Sequence, residues 1–311
     1  MEIREMGSSI KMVVCDLDGT LLKHPKKISE RNKKAIREMR KKGVLFGVCS
    51  GRSAIALQKK LKTWGIDKDV DFVLGFNGTM YWDPATDQVQ AAYALNAEDI
   101  PPILDACKGY PFSFSQYEGL KMLSTRKNFL TAAMAGRNEL EFVTVPVEEL
   151  KKRTYKFMAV GMPWTLSKWL KSGKKEELKS ARVFRSGPFL LEFVNPHLSK
   201  LEGVRMVAKK YGIKLDEIAA FGNDNNDLEM IEGTVGVAMQ NALPAVKEKA
   251  SYITDSNWKD GVATWVEKYV LADNPPKAVM KYKDKYLAET TAGSAADGKP
   301  SAAGTASKAG E

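Results

Sequence analysis

The sequence predicts an α/β protein: a doubly wound parallel sheet into which a second α/β domain is inserted. Three observations predict it. Short apolar runs recur along the chain, and each stops abruptly at a polar residue, the pattern of strands buried in a parallel sheet. Helical periodicity fills the gaps between those runs, as crossover connections require. The layout breaks off near residue 84 and returns near residue 189, in a chain of 311 residues that is long for one packed core.

Residues 11–15 form the first strand-like run, which ends at Asp16. Ser29 opens a helix with Ala35, Ile36 and Met39 on one face and Gly43 as its stop. Residues 44–49 make a second strand, ending at Ser50, Gly51 and Arg52, and a helix follows from Ser53 to Trp64. A third strand, 72–76, ends at Asn77 and Gly78. Ligands of open α/β sheets bind outside the carboxyl ends of the strands, so Asp16, Ser50 and Asn77 are expected to share one rim. Beyond residue 84, helical stretches near 97–107 and 166–180 alternate with strand-like pieces at 156–160 and 189–193. The first layout resumes at 218–222, which runs into Asn223, Asp224, Asn225, Asn226 and Asp227 before a helix. Runs at 235–239 and 252–254 complete the set. The expected organisation is a core of 1–83 and 189–271, an inserted domain of 84–188, and a C-terminal extension of 272–311. From Leu287 onward eight of 25 residues are Ala and ten more are Gly, Ser or Thr, so a disordered tail is expected there.

Composition removes several function classes. No apolar run approaches the ~20 residues of a membrane span, and residues 1–10 carry no apolar stretch like a secretory signal. Three cysteines, Cys15, Cys49 and Cys107, fit neither a closed disulfide framework nor a zinc motif, so a reducing, cytoplasmic setting is expected. Cys15 and Cys49 read as small core residues. The two histidines, His24 and His197, stand far apart and give no triad. The net charge of +10 combines +7 over residues 1–83, +5 over 84–190, −3 over 191–271 and +1 beyond. That distribution reads as solvated basic faces rather than a nucleic-acid stripe. Any chemistry must therefore run on carboxylates, hydroxyls and lysines.

The strongest chemical signal is the Asp16–Thr20 turn after the first strand. Two carboxylates this close repel unless a cation lies between them, which makes Mg²⁺ the natural partner. Gly19 permits close backbone approach, and exposed amides in such a turn cradle an oxyanion. One carboxylate then suits attack on a phosphoryl group, and the other suits proton transfer to the leaving oxygen and from water.

Residues 13–22 resemble the first motif of the haloacid dehalogenase superfamily. Residues 48–52 resemble its second motif, Lys200 its third and residues 222–230 its fourth. Asn77-Gly78, Leu191-Glu192 and the segments around Asn241, Asp255 and Asp260 resemble the Cof-type, sugar-phosphatase-like branch. The resemblance spans roughly residues 11–270 and implies a Rossmannoid core with a large α/β cap between the second and third motifs. It implies Asp16 as nucleophile and metal ligand, and Asp18 as general acid/base that also contacts the metal. Ser50, Gly51, Lys200 and the Leu17 amide are implied in phosphate binding, and Asn223 and Asp227 in holding Mg²⁺, with Asp224 an alternative and Asp227 acting more by supporting the ligands than by direct contact. Asn77, Arg52, Lys156 and Asn226 are the expected substrate contacts, with Arg126, Lys127, Arg153 and Arg185 as further cap cations. Two positions depart from the pattern: Asn223 replaces the usual Asp, which removes a negative charge, and Leu201 replaces a common Gly. The implied activity is Mg²⁺-dependent hydrolysis of a small phosphomonoester, such as a sugar phosphate, by a monomer or weak homodimer. A phosphomutase of similar fold and a non-catalytic metabolite-binding regulator are the rivals.

Overall fold

The computed structural model describes residues 8–23 and 27–286; His24 and the tail from Leu287 lie outside them. The chain starts with strand β1 (Met12–Cys15), helix α1 (Glu30–Lys41), β2 (Leu45–Cys49), α2 (Ala54–Trp64) and β3 (Phe72–Gly75). Serine caps open the helices: Ser29 accepts the Asn32 N–H at 3.1 Å and Ser53 that of Ala56 at 3.0 Å. A hairpin of β4 (Met80–Asp83) and β5 (Gln88–Ala91) follows.

The inserted unit holds α3 (Ile100–Ala106), β6 (Ser113–Glu118), β7 (Lys121–Ser124), α4 (Phe129–Asn138), β8 (Glu141–Thr144) and β9 (Phe157–Val160). It continues through α5 (Pro163–Leu170), α6 (Lys174–Glu177), β10 (Arg182–Arg185) and β11 (Leu190–Val194). The chain then returns with α7 (Lys200–Tyr211), β12 (Ile218–Gly222), α8 (Leu228–Glu232), β13 (Val235–Ala238), α9 (Pro244–Lys249), β14 (Tyr252–Ile253) and α10 (Gly261–Val266).

The core sheet runs β14-β13-β12-β1-β2-β3-β4-β5, parallel up to β3 and antiparallel in the hairpin. All four residues of β1 are buried between β12 and β2, which explains an apolar run without alternation. The second sheet runs β10-β11-β9-β6-β7-β8 and is antiparallel except at β7–β8. It has its own aromatic core around Phe157, Trp169 and Phe193. The fold is thus the expected α/β architecture, a doubly wound core with an α/β cap.

Strand pairing moves both expected boundaries. β5 belongs to the core sheet, so the core continues past residue 83, and β11 pairs with β9 and β10, so the cap continues past 188. The stretch expected as one helix over 166–180 is two, starting earlier at Pro163 and broken at Gly173. Part of the C-terminal extension is docked: Ser8 and Ala278 exchange backbone hydrogen bonds, and Met280 and Tyr286 are buried in the core. No described helix is long and apolar enough to cross a membrane.

One close approach positions the site. A Cβ on Gly203 would lie 2.6 Å from the Gly78 Cα, so α7 rests directly on the loop that carries Asn77. Lys200, at the start of α7, is thereby aimed across the ends of the parallel strands.

Candidate active site

The parallel ladder delivers the site residues to one rim. The Asp16 N–H donates to the Phe221 carbonyl at 3.0 Å, and the Ser50 N–H to that of Leu74 at 2.9 Å. Asp16, Ser50 and Asn223 thus follow three adjacent strands, β1, β2 and β12.

Lys200 ties this rim together. Its Nζ donates to Asp16 Oδ1 at 2.7 Å and to Asp227 Oδ1 at 2.6 Å, with no solvent exposure of the lysine side chain. Burial disfavours the ammonium, but Asp16 and Asp227 outweigh it and hold the Lys200 pKa above its ordinary value. Burial pushes the Asp16 carboxyl up; Lys200 pulls it down and Asp227 pushes it up again, leaving it raised. Asp227 Oδ2 accepts the N–H groups of Asn223 at 2.8 Å and Asp224 at 3.0 Å. Both Asp227 oxygens are therefore engaged. In this arrangement Asp227 fixes Lys200 and the Asn223–Asp224 backbone, as a residue that supports a metal site indirectly would.

The Asp16–Thr20 turn is locked from outside. Gly19 has φ 88°, and a Cβ there would stand 2.7 Å from Asn223 Nδ2. The Thr20 hydroxyl donates to Asn223 Oδ1 at 2.8 Å, and Asn241 Nδ2 to the Gly19 carbonyl at 2.8 Å. The Leu17 carbonyl accepts the N–H groups of Thr20 and Leu22, closing the turn, while its side chain is buried.

Asp18 is half exposed and faces Arg52, whose Nη2 donates to its two oxygens at 3.0 and 2.8 Å and whose Nε donates at 3.2 Å. Arg52, expected to meet substrate, borders the cleft but has its guanidinium engaged on Asp18. Asn77 adopts φ 57°, donates its N–H to the Ser50 carbonyl at 2.9 Å and accepts from Asn226 Nδ2 at 3.2 Å. These two expected contacts are brought together. Lys156 also lines the cleft, and its Nζ donates to the Gly51 carbonyl at 2.7 Å and to Glu192 Oε1 at 2.9 Å.

Core and cap enclose a cleft of about 620 Å³, bounded on the core side by Asp16, Asp18, Ser50 and Arg52. Tyr117, Arg137, Asn138 and Arg185 line the cap side. Of these four, the sequence marked only Arg185; Arg137 and Asn138 lie on an ordinary helix and carry no signal of their own. Glu192 was marked only as part of a motif, although an acid inside a buried apolar strand is itself a flag. Arg126, Lys127, Arg153 and His197 do not line the cleft. Cys15 and Cys49 are buried, and burial pushes both thiols up, that of Cys49 to about 12. They are core residues.

Comparison with known proteins agrees with this geometry. A family profile described as haloacid dehalogenase-like hydrolase matches residues 13–266. The putative phosphatase YxeH of Bacillus subtilis is 28% identical over 267 residues, 84% of this chain and 99% of that protein. The 5-amino-6-(5-phospho-D-ribitylamino)uracil phosphatase YcsE of the same organism is 28% identical over 288 residues, 87% of this chain and 100% of that protein. A solved haloacid dehalogenase-like hydrolase from Bacteroides thetaiotaomicron is similar at a TM-score of 0.74 and 26% identity, covering 83% of this chain and 99% of that one.

Proposed function

The chain belongs to the haloacid dehalogenase-like hydrolase family, and from that premise we propose that it hydrolyses a small phosphomonoester through an aspartyl-phosphate. One observation carries the reading: a buried ammonium joins Asp16 and Asp227 at the ends of the parallel strands, on the rim that also holds Ser50. A phosphoryl group entering there meets a carboxylate nucleophile, a fixed cation and a hydroxyl, which suit charge spread over three oxygens.

In the proposed reaction an Asp16 oxygen attacks phosphorus. The new bond forms as the bond to the substrate oxygen breaks, and Asp18 gives its proton to that leaving oxygen. The Asp18 carboxylate then takes a proton from water, whose oxygen attacks phosphorus and releases inorganic phosphate and free Asp16. Ser50 and Lys200 hold the phosphoryl oxygens throughout.

Mg²⁺ is the proposed cofactor. Asp16, whose Oδ1 accepts from Lys200, would hold it through its carboxylate, with the Asn223 amide oxygen, which also accepts from Thr20, and the Asp18 carbonyl as the other donors. These hard donors fit Mg²⁺, which uses one or two carboxylates and keeps several waters. Among the described residues no group of three or more His, Cys, Asp or Glu comes together as a metal site. When bound, the ion would supply positive charge that offsets the negative charge of the phosphoryl group.

The cleft volume and its polar cap wall of Tyr117, Arg137, Asn138 and Arg185 favour a sugar or polyol phosphate. The phosphoribityl substrate in the name of one relative is of this class. The unpaired, buried cysteines support a reducing, cytoplasmic setting.

The test is inorganic phosphate release from sugar, polyol, nucleotide, flavin and pyridoxal phosphates, with Mg²⁺ and with chelator. Mg²⁺-dependent release from a sugar or polyol phosphate is expected. No release from any compound contradicts the reading, and phosphate moved within the sugar but never released favours the phosphomutase.

A further inference from the structure

Lys156 belongs to the cap, yet its ammonium ends on the core. It stands one residue before β9, its side chain is 3% exposed, and it donates both to Glu192 of β11 and to the Gly51 carbonyl. Gly51 lies between Ser50 and Arg52, so the contact falls in the middle of the loop assigned to phosphate binding. The peptide joining Gly51 and Arg52 is planar and trans, so its C=O and N–H point in opposite directions. Holding the carbonyl toward the cap sends the Arg52 N–H the other way, where Ser50 Oγ accepts it at 3.3 Å. The same loop sets Arg52, whose guanidinium clasps Asp18.

A second core loop is laced to the first and also reaches the cap. The Phe76 N–H donates to the Arg52 carbonyl at 2.8 Å, and the Asn77 N–H to that of Ser50 at 2.9 Å. The Phe76 ring stacks on Tyr117 and Tyr155 of the cap, at 5.7 and 6.3 Å between centroids, and Lys156 Nζ lies 5.5 Å from its centre. Two loops that carry Ser50, Arg52 and Asn77 are thus gripped at once when the cap is seated.

We propose that Lys156, held in place by Glu192, is a positioning residue that couples seating of the cap to the alignment of Ser50 and Asp18. This builds on the roles proposed above for those two groups. Cap closure then organises the reacting groups as well as covering them. Glu192 keeps the buried ammonium paired, so that Lys156 reaches Gly51 without an uncompensated charge.

The test compares the native chain, Glu192→Gln, and the double variant Lys156→Met/Glu192→Gln, which removes the donor while leaving no unpaired charge in the cap. Two readouts are taken: steady-state kinetics with p-nitrophenyl phosphate and amide exchange at Arg52. Thermal melting of each variant confirms folding. The double variant is expected to lose at least about 30-fold in kcat with less than a threefold change in KM, and to exchange the Arg52 amide faster than native. Native-like kcat together with native-like Arg52 exchange overturns the proposal. A kcat loss matched by the fraction unfolded in the melt also overturns it, since a merely structural pair predicts that. If the native chain releases no phosphate from any ester, the hydrolase reading fails. Faster Arg52 exchange in the double variant then still upholds the coupling of cap to loop, and unchanged exchange refutes it.

Discussion

The two walls of the cleft differ in how they hold charge. On the core wall the charges are matched: Lys200 bridges Asp16 and Asp227 in the interior, and Arg52 clasps Asp18 at the rim. On the cap wall Arg137 and Arg185 stand exposed, and Arg185 donates to the neutral oxygens of Pro163, Ser167, Gly187 and Pro188. The difference teaches a division of labour. Groups that meet a reacting phosphoryl must be aimed before it arrives, because a group that reorganises during the reaction loses much of its effect. Groups that sort one substrate from another can stay solvated and adjustable. Lys156 is the exception that joins the walls, a cap cation as buried as those of the core.

The contrast breaks most visibly at Lys200. Lys200→Met leaves Asp16 and Asp227 facing each other without a cation, and breaking a buried pair costs about 3–5 kcal/mol. Thermal denaturation without added metal is expected to show a large drop in Tm, whereas Arg185→Ala stays within about 0.5 kcal/mol of native. Equal shifts would erase the distinction between the walls. Next comes Asp18→Asn. Asp18 is half exposed, so the variant is expected to keep the native circular dichroism while turnover falls about 10²- to 10⁴-fold, the usual range for a lost acid/base. A large fall in stability instead would make Asp18 a structural partner of Arg52.

Asn223→Asp sharpens the core side. The side chain already accepts from Thr20, so an added charge keeps that contact. Calorimetric titration is expected to show Mg²⁺ binding tighter by about tenfold, because affinity follows ligand charge. Unchanged affinity would remove Asn223 from the metal site. The smallest effect is expected at Arg137. Arg137→Ala is expected to lower kcat/KM for a sugar phosphate by less than about tenfold and to leave p-nitrophenyl phosphate turnover unchanged, consistent with a rim contact in water.

Legibility in the sequence follows the same division. Asp16, Ser50, Asn77 and Asn223 were readable because each ends a buried strand, and a parallel sheet turns strand ends into one rim. The caps at Ser29 and Ser53 were readable because capping is local. The domain boundaries were not, since whether β5 and β11 join one sheet or the other is decided by pairing across the fold. The contacts of Arg52 and Lys156 were hidden for a similar reason. Both were marked as basic residues near the site, but their partners lie 34 and 105 residues away in sequence. Asp227 shows the limit of motif spacing: its position is legible, but its contacts with Lys200 and with the Asn223 and Asp224 N–H groups are not. Arg137 and Asn138 were invisible because a helix surface gives no hint of the wall it will face.

The central claim is that Asp16 is the nucleophile. Its most direct test is to quench the native chain in acid during turnover and locate the phosphoryl group by peptide mass spectrometry. One phosphoryl group is expected on the peptide that contains Asp16, lost on treatment with hydroxylamine and absent from Asp16→Asn, which also releases no inorganic phosphate. Phosphate release by Asp16→Asn at a rate near native, or a phosphoryl group on another residue, would contradict it.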